Sequence, residues 1–186
     1  LQGDLDDART WLAPGRFSPV TAQRGFQSLA RLEMLDGNFE AAARAFDREL
    51  EYGPGTALLW VDIARFRYAN GEHRLALVAA ERAVALDPDD PRALELRGQL
   101  LRDADGLIAA IAWFEAALEK VPDDLGLLGE YAATLGEAGR NRQMLQVARK
   151  MVEIDPRHPR AYYLQAVLAV RAGCDDLARR LLSRTD

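Results

Sequence analysis

Apolar positions along the chain recur at the 3.6-residue spacing of an amphipathic helix, and nowhere alternate with the period of two that marks a strand. In 57–70 they fall at Leu59, Trp60, Ile63, Ala64 and Phe66. Asn70-Gly71 breaks the stripe. A second stripe runs through Leu75, Ala76, Ala79, Ala80, Ala83 and Val84 and ends at Asp87-Pro88. Asp90-Pro91 opens the next helix, with aspartate as N-cap and proline at the first helical position. The pattern predicts pairs of helices joined by short turns.

The pair recurs along the chain. Pro54, Pro88, Pro122 and Pro156 stand 34 residues apart, three of them in related surroundings: LDPDDPRAL, KVPDDLGLL and IDPRHPRAY. Gly37, Gly71, Gly139 and Gly173 keep the same register, with Asp105 in the remaining place. So do the small residues Ala30, Ala64, Gly98, Ala132 and Ala166, and the large ones Phe26, Trp60, Leu94, Leu128 and Tyr162. Ala42, Ala76, Ala110 and Ala178 form a further set, with Met144 in its fourth slot. This register divides the chain into repeats 23–56, 57–90, 91–124 and 125–158 and a shortened repeat 159–186. Residues 1–22 read as the back half of a preceding repeat, on the Gly3 to Ala8 spacing, followed by an irregular connector. There Ser18-Pro19 is expected to start a longer or offset first helix.

One helix pair cannot bury its apolar face alone, whereas stacked pairs share a continuous core. The expected fold is therefore all-α, a solenoid of antiparallel helix pairs with a 34-residue period. Small residues such as Ala64 and Ala76 let the helices of a pair approach closely. Trp60 and Phe114 fill the space between neighbours, and Trp11 and Trp113, at equivalent places, are expected to pack in the same way.

The pattern resembles the tetratricopeptide repeat family, best over 57–90, where Trp60, Ala64, Gly71, Ala76, Ala83 and Pro88 occupy signature positions. Departures are Arg67 for the usual tyrosine, Ala80 for a larger residue, and Met144 and Met151 at alanine positions. The resemblance implies a right-handed superhelix whose concave groove is lined by the first helix of each repeat. Groove positions then fall at Arg24, Gln27, Arg31 and Met34 in the first full repeat. They continue at Leu58, Val61, Arg65 and Tyr68, and at Arg92, Glu95, Gln99 and Arg102. The last two repeats place Gly126, Gly129, Ala133 and Gly136, then Arg160, Tyr163, Val167 and Val170. Arg31, Arg65 and Arg102 are expected to form a diagonal row suited to carboxylates, unless acids such as Asp62, Glu95 or Asp103 neutralise it. Tyr68, Tyr163 and Met34 add amphipathic contact area. The glycines of the fourth repeat either admit a bulky neighbour such as Tyr163 or form a dip for a ligand residue. The family's two-Lys, two-Asn, one-Arg clamp for chaperone C-termini is not reproduced, since Gln27, Arg31, Asp62 and Leu96 occupy places it needs.

Composition narrows the function. The 186 residues are 49% hydrophobic and 28% charged, the signature of an ordered chain. A net charge of −5 argues against a dedicated nucleic-acid binder. No apolar run approaches the ~20 residues of a membrane span. Cys174 is the only cysteine, which excludes an internal disulfide framework and paired-cysteine zinc sites. His73 and His158 read as solvated turn residues without metal-ligand neighbours. Ser18, Ser28 and Ser183 sit in no nucleophile motif. The pairs Asp6-Asp7, Asp89-Asp90, Asp123-Asp124 and Asp175-Asp176 sit where carboxylates cap helices. No catalytic, cofactor or metal site is therefore expected.

These readings predict a protein- or peptide-binding scaffold that favours acidic segments. The alternative is a substrate-targeting arm of a larger enzyme, such as a transferase, whose catalytic domain lies elsewhere. The start at Leu1 and the apolar side of the last helix, with Leu177, Leu181 and Leu182, suggest that the native protein continues past both ends. Exposed terminal helices would also allow self-association. All basic residues but Lys120 and Lys150 are arginine, which points to a GC-rich bacterial genome. The compartment stays open between cytoplasm and periplasm.

Overall fold

The computed structural model describes residues 21–185 together with Asp7, Thr10 and Trp11. The half repeat expected at 1–22 and the helix start expected at Ser18-Pro19 fall on residues outside this set, apart from the three named.

Residues 21–185 form ten helices and no strand. In chain order they are α1 (Ala22–Leu35), α2 (Phe39–Leu50), α3 (Ala57–Ala69), α4 (His73–Leu86) and α5 (Pro91–Asp105). There follow α6 (Leu107–Lys120), α7 (Leu125–Glu137), α8 (Asn141–Ile154), α9 (Pro159–Arg171) and α10 (Asp175–Leu182). The chain is an all-α helical-repeat fold that divides into two compact units, Leu1–Pro88 and Asp89–Asp186. Within each unit, consecutive helices pair as α1/α2 and α3/α4, then as α5/α6, α7/α8 and α9/α10.

The turns follow from backbone chemistry. Gly37, Gly71, Gly139 and Gly173 adopt φ between 72° and 78°, the left-handed conformation that glycine takes at least cost. The repeat with Asp105 in the register has its glycine one residue later. Gly106, at φ 87°, both ends α5 and precedes α6. Aspartates cap two helices: Asp90 accepts from the Arg92 amide and Asp124 from the Leu127 amide. In unit 1 Thr56 accepts from Leu59 and Asn38 from Ala41. Each cap satisfies an amide that the helix leaves without a partner.

Close approach explains the small residues. Ala30, Ala42, Ala64 and Ala76 are wholly buried in unit 1. In unit 2, a Cβ at Gly98 would lie 2.3 Å from the ring of the fully buried Phe114. The two indoles in the described repeats act as half-buried lids rather than core. Trp60 donates to the Pro54 carbonyl at 2.9 Å with the Arg82 guanidinium 5.2 Å from its ring. Trp113 donates to the Leu94 carbonyl at 2.9 Å under Arg97, 3.9 Å away. Trp11 differs from the packed role expected for it, since it is 73% exposed. Among the described residues no helix is long and apolar enough to cross a membrane.

Candidate functional site

The first helices of the repeats lie side by side within each unit: α1 against α3 in unit 1, and α7 against both α5 and α9 in unit 2. Their charged residues are handled differently in the two units.

In unit 1, Asp62 on α3 is buried and must be compensated. Gln27 Nε2 and Arg31 Nε, both from α1, donate to its Oδ2 at 2.8 and 2.7 Å. The arginine contributes a second contact through Nη2 at 2.7 Å and stays 44% exposed. Arg31 is thus a positioned cation and not a free one. Arg24 and Arg65 are exposed, and their guanidinium groups have no hydrogen-bond or ion-pair partner among the described residues. Tyr68 lies exposed on the same helix as Arg65, its ring edge-on to His73 at 5.0 Å. Met34 and Leu58 are half-buried. Val61 is fully buried and belongs to the core rather than to a ligand-facing surface.

Behind this face lies a second carboxyl, Glu49 of α2, only 2% exposed and with no partner for Oε2. Burial, reinforced by the nearby Asp62 charge and opposed by Arg31, pushes its pKa up to about 7.

In unit 2 the arginines turn inward. Glu130 on α7 is buried and draws Arg160 of α9 to 2.5 Å and Arg102 of α5 to 3.6 Å. Arg102 also reaches Glu137 at 3.7 Å and Thr134 Oγ1 at 3.4 Å. Arg171 donates to the Gly136 carbonyl and to Asn141, both at 2.9 Å. Arg92 is spent on Asp90, and Gln99 donates to Glu95 at 3.2 Å. Of the three arginines expected in a diagonal row, Arg31 and Arg102 are paired, and the Arg65 guanidinium has no partner among the described residues.

The glycines of α7 are filled from within. A Cβ at Gly129 would sit 2.9 Å from Arg160 Cδ and Nε, and one at Gly136 would sit 2.7 Å from Met144 Sδ. The neighbour admitted at Gly129 is Arg160, not Tyr163, which is 55% exposed. Ala133 beside it is half-buried. His158, expected as a solvated turn residue, is half-buried as the residue preceding α9, with Nδ1 unpartnered.

Sequence reasoning missed Glu130 and Glu49. Both are acids on the inner side of amphipathic helices. A charged residue in a core-facing position was the available signal, since such groups are rarely buried without partners.

The geometry provides fixed hydrogen-bond donors and apolar contact area. Among the described residues no group of three or more His, Cys, Asp or Glu is arranged to hold a metal ion. The acids beside Arg31 and Arg160 serve to position cations. The family profile of the tetratricopeptide repeat matches residues 28–83 and 61–124, more than half the chain. The chain belongs to the tetratricopeptide repeat family. Among solved structures, the thermophilic tetratricopeptide protein TTC0263 of Thermus thermophilus is 17% identical, with a TM-score of 0.71 over 88% of this chain and 90% of that one. The MamA protein is 18% identical, with a TM-score of 0.66 over 89% of this chain and 90% of that one. YrrB, described as a tetratricopeptide protein with an unusual peptide-binding site, is 18% identical, with a TM-score of 0.59 over 87% of this chain and 83% of its own. At these identities the likeness is one of fold. A sequence relative, the SGT1 homolog of Oryza sativa subsp. japonica, is 31% identical over 79 residues. That stretch is 42% of this chain and 22% of the relative's length.

Proposed function

We propose that the protein is a protein-interaction scaffold that takes an acidic peptide segment on the α1/α3 face of unit 1. The observation that carries this reading is the state of the arginines. Unit 2 neutralises Arg102 and Arg160 internally on Glu130. Unit 1 leaves the guanidinium groups of Arg24 and Arg65 without partners among the described residues, beside Arg31, which Asp62 holds in place. A guanidinium fork fixed by a buried acid loses less side-chain freedom on meeting a carboxylate than a mobile one. Exposed Tyr68, one turn from Arg65 on α3, supplies amphipathic contact. Membership in a repeat family and the peptide-binding site named for YrrB support the general class.

The test is an array of short peptides graded in net charge, probed with the full chain at low and at physiological ionic strength. Acidic peptides should bind better than uncharged ones, and their advantage should shrink with salt. The double variant Arg24→Glu, Arg65→Glu should abolish that preference. Acidic peptides that bind no better than uncharged ones, or that bind the double variant as well as the wild type, would overturn the reading.

A further inference from the structure

Unit 1 carries a second surface on the other side of α3. Arg65 and Tyr68 occupy one face of that helix. Trp60, Ile63, Arg67 and Asn70 recur at three- and four-residue steps on a different one, with Ile63 and Arg67 each about 200° from Arg65 at 3.6 residues per turn. That second stripe faces the stripe Phe39, Ala43, Phe46 and Leu50 of α2 across a cleft of 530 Å³. The volume lies within the range of about 300–1,000 Å³ typical of ligand pockets.

The cleft has an aromatic floor. Phe66 lies 6.2 Å from Phe39 and 5.5 Å from Phe46, centroid to centroid, both tilted. Its rim is acidic. Glu40, Asp47 and Glu72 border it, against one cation, Arg67. Glu72 already holds that cation, and this pairing, with a hydrogen bond from Asn70, keeps the Glu72 carboxyl below its usual range. Glu40 has only Arg44, one exposed turn along α2, a pairing worth little in water. Asp47 has no side-chain partner among the described residues.

We propose that this cleft binds a partner segment that presents an aliphatic or aromatic side chain flanked by arginine or lysine. The apolar side chain packs on Phe39, Leu50 and Trp60, the half-buried part of the lining above the Phe46–Phe66 floor, and removes that surface from water. The cation meets Asp47 and Glu40 at the rim. An acidic segment is excluded by the same carboxylates. Unit 1 thus offers two surfaces of opposite charge preference. The cleft stands independently of the α1/α3 face, because the two share no side chain.

The experiment is a selection of random peptides displayed on phage against the full chain carrying Arg24→Glu and Arg65→Glu, which silences the other face. Enriched peptides are then measured by fluorescence anisotropy on the wild type and on Ala43→Trp, which fills the cleft, and Asp47→Lys, which reverses its rim. Circular dichroism checks the fold of each. The expected consensus is an apolar or aromatic residue next to arginine or lysine. Its affinity should fall about tenfold or more with Ala43→Trp and clearly with Asp47→Lys, while the wild type and the Arg65→Glu variant bind equally. If Ala43→Trp disturbs the fold, Asp47→Lys on the exposed rim decides alone. Failure to enrich any peptide, an acidic consensus, or binding indifferent to Asp47→Lys would overturn the proposal.

Discussion

Glu49 is the residue at which chemistry and fold are most in tension. Its carboxyl sits in the core of unit 1, one oxygen without a partner, beside the Asp62 charge. Because its pKa in the fold is about 7 and thus above the ordinary 4.5, the protonated form is the one the fold favours. Its contribution is fully present below about pH 4.5 and is lost as pH rises through 7. Glu49→Gln should therefore gain stability relative to wild type across that window, by about 2–3 kcal/mol at its alkaline end. Urea unfolding of both proteins at several pH values measures it, and a pH-independent difference would contradict the assignment. The apolar neighbours of Glu49 were legible as a helical stripe. Its own burial was not, because which acid ends up inside depends on how α2 meets α3. Asp105 teaches the reverse lesson. The missing glycine of the register reappears as Gly106, and the turn survives because the backbone needs a left-handed residue, not a fixed position.

At the scale of elements, the helix pairs were legible because small and large residues recur in one register. Gly98 shows why. Its missing side chain is the space Phe114 occupies, and even one methyl would fall 2.3 Å from that ring. Gly98→Ala should destabilise unit 2 by about 1–3 kcal/mol although alanine is the better helix former. Thermal denaturation tests this, and a variant as stable as wild type would show that α5 and α6 have room to part. The α7 helix was harder to read. Its glycines suggested either internal filling or a dip for ligand. The structure fills Gly129 with Arg160, because Glu130 on the next residue draws that guanidinium down. Pairing over a separation of 30 residues leaves no periodic trace in a single sequence. Glu130→Ala removes the common partner of Arg102 and Arg160 and should cost about 2 kcal/mol or more. Chemical denaturation reads it directly. Glu130→Gln, which keeps the shape and part of the hydrogen bonding, should cost less.

At the scale of the whole molecule, a net charge of −5 conceals two opposite local environments. Sequence projection placed a run of arginines on the first helices but could not say which were already spent. That distinction required the acids Asp62 and Glu130 to be located in space. It moves the candidate acidic-peptide site from the full length of the repeat array to unit 1. The most direct measurement is isothermal titration of the best acidic peptide from the charge-graded array into wild type, Arg65→Glu and Arg102→Glu. Arg65→Glu should weaken binding about tenfold or more, with unchanged stability. Arg102→Glu should lower stability and leave the affinity of the folded protein unchanged. The reverse pattern, affinity lost with Arg102→Glu and kept with Arg65→Glu, would contradict it.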